Sequence, residues 1–171
     1  MAIRAVVFDI GGVLERTIDT NLDGRWEERL GLEPGELWGR LRRSGLGRDA
    51  NLGRISEAEF ARALGELYGL DHRTTDELLR DLDELLRDLW DWYVGELNVE
   101  LAGYFRGLRP RYRTAILSNG SAGGRREEEA RYRFVEMADL LVYSYEEGIE
   151  KLLSTAQAIA DMERCLADGT G

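Results

Sequence analysis

The sequence predicts an α/β fold, a parallel sheet interrupted by one long helical insertion. Three observations carry this. Apolar runs ending in polar, glycine-containing turns occur near residues 8, 117 and 143. The stretch between the first two runs, from about 16 to 95, keeps a helical spacing of apolar residues. A further helical segment then separates the second run from the third, which is the order of a sheet with crossover helices.

The first strand is Ile3-Arg4-Ala5-Val6-Val7-Phe8, short, apolar and rich in β-branched residues, as buried parallel strands are. It ends in Asp9-Ile10-Gly11-Gly12-Val13-Leu14. The paired glycines let the backbone bend and approach a ligand closely. Ligands of open α/β sheets sit at the carboxyl ends of strands, so Asp9 is where chemistry is expected. A carboxylate in this place can also serve as a structural turn residue.

Trp26, Leu30, Leu37, Trp38 and Leu41 follow at helical spacing, and Pro34 suits a first helical turn. Residues 44 to 54 carry three glycines and read as a loop. Ser56 and Glu59 form a capping box ahead of Phe60, Ala63, Leu64 and Leu67. Thr74 and Glu77 repeat the device before Leu78, Leu82, Leu85, Leu89 and Trp92. Too few heptads recur for a coiled coil, so an antiparallel helical bundle is expected. Trp90, Trp92 and Tyr93 read as core packing in preference to a substrate cleft. The single histidine, His72, reads as a solvated loop residue, which excludes His-based triads and His-rich metal sites.

Asn98 is placed to cap a helix bearing Leu101, Ala102, Phe105 and Leu108, ended by Arg109-Pro110. The second strand, Thr114-Ala115-Ile116-Leu117, ends in Ser118-Asn119-Gly120-Ser121. A helix over about 125–134 precedes the third strand, Leu140 to Ser144, which leads to Glu150-Lys151.

At 171 residues, 43% hydrophobic and 33% charged, the chain is long enough for one domain with an insertion and is not disordered by composition. A net charge of −10 argues against a general nucleic-acid or anionic-membrane binder. The one cysteine, Cys165, gives no intrachain disulfide, as fits a reducing compartment. With no signal peptide ahead of the first strand and no apolar run of spanning length, the expectation is cytoplasmic.

Phe8-Asp9-Ile10-Gly11-Gly12-Val13-Leu14, Leu117-Ser118-Asn119-Gly120 and Glu150-Lys151, in this order, resemble the first three motifs of the haloacid dehalogenase-like hydrolases. The resemblance spans residues 1 to 151. It implies a Rossmann-like core over 1–15 and 96–171 and an α-helical cap over 16–95. It also implies a phosphatase-type reaction on a small phosphorylated metabolite, with Asp9 as nucleophile and an aspartyl-phosphate intermediate. Ser118 and backbone N–H groups near Gly11, Gly12 and Asn119 would bind the phosphoryl oxygens, and Lys151 would offset the gathered charge. Mg2+ would sit on the Asp9 carboxylate and the Gly11 carbonyl. The alternatives are 2-haloacid dehalogenation and a catalytically inactive family member.

Two departures modify the resemblance. Gly11 stands where the family's phosphatases usually carry a second aspartate, a general acid–base group typically worth ~10²–10⁴ in rate. After Lys151 the family continues into a fourth strand bearing acidic metal ligands. Here Leu152, Ile159, Met162 and Leu166 suggest one amphipathic helix, and neither Asp161 nor Asp168 is assigned as a ligand. The expectation is a sheet incomplete at its C-terminus, as in a truncated or frameshifted product, with a weak Mg2+ site. In the family the fourth strand pairs beside the first, so the edge at Ala5–Phe8 is expected to invite self-association.

Overall fold

The computed structural model describes residues 3–18, 20–70 and 76–150. Expectations for His72, Thr74, Lys151, Asp161, Cys165, Asp168 and the helix from Leu152 to Leu166 lie outside them, as do those for the side chains of Glu77 and Leu78. In chain order the elements are β1 (Ala5–Phe8), β2 (Glu15–Arg16), α1 (Leu22–Leu30), α2 (Glu36–Ser44), α3 (Leu46–Asn51), α4 (Glu57–Tyr68) and α5 (Asp76–Val94). There follow β3 (Glu96–Leu97), α6 (Val99–Gly107), β4 (Arg113–Ser118), α7 (Ala122–Tyr132), α8 (Phe134–Met137), β5 (Leu140–Tyr143) and α9 (Ser144–Glu147).

β1, β4 and β5 form a parallel sheet in the order β1-β4-β5. Phe8 pairs with Ile116, and Ser118 pairs with Tyr143, so Asp9 emerges beside the last residues of β4. Ile10, Leu14, Phe105, Ile116, Phe134 and Tyr143 are fully buried in one cluster around this sheet. A second cluster gathers Leu22, Trp26, Leu37, Leu64, Leu85 and Leu89 from α1, α2, α4 and α5. The chain runs from one cluster to the other through β2 and back through β3, which pair antiparallel, Glu15 with Leu97 and Arg16 with Glu96.

The capping box ahead of α4 is present, with Ser56 Oγ accepting from Glu59 N–H and Glu59 Oε2 accepting from Ser56 N–H. Asn98 caps α6 by accepting from Leu101 N–H at 3.3 Å. α5 carries Leu85 and Leu89 inward as one member of a helical bundle.

Four expectations are corrected. The glycine-rich stretch over 44–54 is not all loop: Gly45 turns the chain at φ 75°, and α3 follows at once with Leu46 and Ala50 one turn apart. Pro34 lies two residues ahead of α2, in the turn closed by Glu36 N–H on Glu33 C=O. α7 begins at Ala122, ahead of 125, because Ser121 caps it by accepting from Gly124 N–H. The third strand stops at Tyr143; Ser144 already belongs to α9, and Glu146 Oε2 accepts from Tyr143 N–H. No helix among the described residues is long and apolar enough to cross a membrane.

Candidate active site

Asp9 follows β1 directly, and its Oδ1 accepts from Ile10 N–H at 2.8 Å. The turn beyond is held by Ile10 C=O, which accepts from both Val13 and Glu15 N–H at 3.0 Å. Gly12 sits there at φ 76°, a conformation that favours glycine. This turn brings Glu15 back beside Gly11, with which it forms a single bridge.

Asp9, Gly11, Ser118 and Asn119 line one pocket of about 250 Å³. Parallel pairing in register places the ends of β1 and β4 side by side, so residues 109 positions apart converge without either strand bending. Gly12 is not among the residues lining this pocket. Ser118 is only 3% exposed.

Three further described residues line the pocket, Glu15, Tyr93 and Glu128. Sequence reasoning missed Glu15 and Glu128 as site residues and read Tyr93 as core packing in preference to a substrate cleft. Glu128 belongs to the run Glu127-Glu128-Glu129 within the expected helix over about 125–134, yet it is 1% exposed. Glu15 stands where the sequence passes from strand to helical spacing, yet it opens β2 at 3% exposure.

Burial above all, and then the charge of Glu128, raise the Glu15 carboxyl to about 9, against a smaller lowering by Arg131. Burial likewise raises Glu128 to about 7, while the hydroxyl of Tyr143 donates to its Oε2 at 2.5 Å and lowers it. The Tyr93 hydroxyl is pushed upward by burial and stays protonated; it donates to the Asn119 carbonyl at 3.4 Å. Glu15 Oε1 has no hydrogen-bond partner among the described residues, which is unusual for a buried carboxyl. At neutral pH the three carboxyls that the described residues bring to the pocket therefore do not carry three full charges.

Among the described residues the pocket's side chains offer oxygen donors and no histidine or cysteine, a set suited to a hard cation. Among the described residues no group of three or more His, Cys, Asp or Glu side chains is arranged to hold a metal. A magnesium ion commonly takes one or two protein oxygens and completes its shell with phosphate and water, and Asp9 with the Gly11 carbonyl fits that pattern.

The aromatic cluster is corrected in part. Trp92, with Trp38 and Phe60, does pack against the second core cluster, yet these rings together with Trp90 and Tyr93 also line a second cavity of about 220 Å³. The small residues Gly47 and Ala50 of α3 also line it. α7 packs tightly against the same helix: a Cβ on Gly123 would lie 2.6 Å from Trp90, and one on Gly124 would lie 2.8 Å from Tyr93.

No family model matches the chain. A D-ribitol-5-phosphate phosphatase of Bacteroides thetaiotaomicron is 28% identical over 121 residues, 68% of this chain and 52% of the relative. The chain thus spans about half the length of that curated relative. A HAD family enzyme of the same organism, solved with magnesium and inorganic phosphate, superposes with a TM-score of 0.70 at 18% identity, over 95% of this chain and 79% of the other. A predicted HAD-like family hydrolase from Porphyromonas gingivalis gives 0.65 at 25% identity, over 93% and 76%. The L-2-haloacid dehalogenase of Xanthobacter autotrophicus gives 0.54 at 20% identity, over 94% and 64%.

Proposed function

The chain is a haloacid dehalogenase-like protein, and from that premise we propose that it hydrolyses small phosphomonoesters with Asp9 as nucleophile. The observation that carries this reading is the convergence of Asp9, Ser118 and Asn119 at the ends of adjacent parallel strands. Asp9 attacks phosphorus in line, the P–O bond to the alcohol breaks with its oxygen taking a proton from water, and a second water then hydrolyses the aspartyl-phosphate. The Ser118 hydroxyl donates to a phosphoryl oxygen, and backbone N–H groups near Gly11, Gly12 and Asn119 serve the others. Lys151, outside the described residues, supplies the cation in the resemblance. Burial keeps Glu15 neutral, so an incoming phosphate meets less negative charge than the pocket's carboxyl count suggests.

Magnesium on Asp9 and the Gly11 carbonyl would neutralise charge on the phosphoryl oxygens. The curated relative's name makes D-ribitol 5-phosphate one substrate to include in a panel. A cytoplasmic setting accords with the single cysteine. Magnesium-dependent release of phosphate from such a panel, abolished by Asp9→Asn, tests the reading; no release from any member ends it.

A second reading, 2-haloacid dehalogenation, is favoured by Gly11, since dehalogenases also lack an acid two residues beyond the nucleophile. Chloride release in the presence of chelator would select it. Absence of both activities would select the inactive alternative.

Self-association belongs to the same proposal. β1 pairs with β4 on one side and, among the described residues, with no strand on the other, and Val7 there is 42% exposed. A second copy of the chain pairing along β1 would appear as mass rising with concentration in light scattering; a concentration-independent monomer would exclude it.

A further inference from the structure

The pocket at Asp9 is polar, but the space beside it is not. Trp38 and Trp92 meet at 4.4 Å between ring centroids, and Trp90 stands edge-on to Tyr93 at 5.8 Å. These four rings, with Phe60 and Leu41, face the cavity of about 220 Å³. Among the described residues no charged side chain lines it. Of its polar groups, Ser121 Oγ already accepts from Gly124 N–H, and the Asn51 carbonyl already accepts from the Ser144 hydroxyl at 2.7 Å. An apolar cavity of ~150 Å³ holds a benzene-sized ring, so this one has room for a ring with a short linker.

The two spaces adjoin. Tyr93 lines both, and the loop that gives Asn119 to the polar pocket gives Ser121 to the apolar cavity. Tyr93 is thus the wall shared by a phosphate site at Asp9 and Ser118 and the space among the tryptophan rings. A polyol chain placed there would lose hydrogen bonds to water and find few replacements. An apolar ring would gain by burial and by offset or edge-on stacking.

We propose that the cavity between Trp38, Phe60, Trp90 and Trp92 is a leaving-group subsite for a compact apolar, preferably aromatic, group, so that the phosphomonoester taken is an arylalkyl phosphate and not a polyol phosphate. This rests on the phosphatase reading for its substrate, but not for its binding site. α3 supplies the floor through Gly47, where an added Cβ meets nothing within 4 Å, and the backbone there is not in the left-handed region. A larger side chain at 47 can therefore grow into the cavity without backbone strain.

The test uses the full chain with magnesium. 2-Phenylethyl phosphate and glycerol 3-phosphate both release unactivated alcohols, so a preference between them reports the subsite and not leaving-group chemistry. The expected result is a kcat/KM higher by about ten-fold or more for the phenylethyl ester. In parallel, 2-phenylethanol alone is titrated against tryptophan fluorescence, which three of the four tryptophans report from the cavity wall. Saturable quenching is expected, with Gly47→Phe weakening it by about ten-fold while circular dichroism stays unchanged. Hydrolysis of glycerol 3-phosphate without preference for the phenylethyl ester, and without 2-phenylethanol binding, would overturn the subsite and leave the phosphatase reading standing. Binding of 2-phenylethanol that Gly47→Phe weakens, with neither ester hydrolysed, would uphold the subsite and end the phosphatase reading. Binding that Gly47→Phe leaves unaltered would also overturn the subsite.

Discussion

The hydroxyl of Tyr143, the last residue of β5, donates to Oε2 of Glu128 at 2.5 Å, and both side chains are buried. This bond ties the sheet to α7 at the edge of the candidate active site. Arg125 adds to it from one turn away, its guanidinium lying 5.3 Å from the Tyr143 ring.

Tyr143→Phe removes the donor and leaves a buried carboxyl oxygen without it. The expected loss is ~1–3 kcal/mol of folding stability, measured by urea denaturation. An unchanged midpoint would mean the bond contributes nothing.

Asp9→Asn is expected to reduce phosphate release to background while far-ultraviolet circular dichroism is unaltered. The carboxylate is only half-buried, and the amide oxygen can still accept from Ile10 N–H. Full activity in this variant would remove Asp9 as nucleophile.

Glu15 sets a pH dependence of stability. Its ordinary value is 4.5 and the folded value about 9, so between these the unfolded chain has released a proton that the folded chain keeps. Stability from this group is therefore intact below pH 4.5 and declines as pH rises toward 9, by up to about 1.4 kcal/mol per pH unit. Glu15→Gln cannot ionise and should flatten the profile, raising the melting temperature at pH 8 relative to the parent in chelator. A parent profile rising from pH 6 to 8 with no change in the variant would contradict the burial argument.

Gly95, at φ 60°, turns α5 into β3, and a Cβ there would collide with the Arg16 carbonyl oxygen. Backbone cannot yield as a flexible side chain can. Gly95→Ala is expected to cost ~1–3 kcal/mol and to loosen the β2–β3 pair. Hydrogen exchange at Asn98, whose N–H donates to Leu14 C=O at 2.7 Å, would report it as faster exchange.

Magnesium is expected to bind without saturation below about millimolar concentration unless phosphate is present to complete its shell. Calorimetry with and without phosphate measures this. A tight site in magnesium alone would mean that acids beyond Asp9 have been recruited.

Local chemistry alone made much of this chain legible. The Ser56–Glu59 box and the Asn98 cap are contacts between residues three apart, so the sequence names both partners. The apolar runs ending at Phe8 and Ser118 announce parallel strands, and the rule that such strands present ligands at their carboxyl ends picked out Asp9, while Ser118 and Asn119 came from the resemblance to the haloacid dehalogenase-like hydrolases. What escaped depended on partners distant in sequence. Glu128 is polar by type and lies in a run of glutamates, and only the arrival of Tyr143 and Tyr93 against α7 takes it out of water. Glu15 is buried because the glycine turn folds it back against Gly11 and β3 closes over it. Trp90 and Trp92 carry the same helical signal whether or not a cavity lies beside them, and Gly47 and Ala50, which also line it, belong to a different helix. Pattern fixes which residues face inward; whether the inside is solid, charged or hollow is settled by which side chains meet there, and tertiary packing alone brings them together.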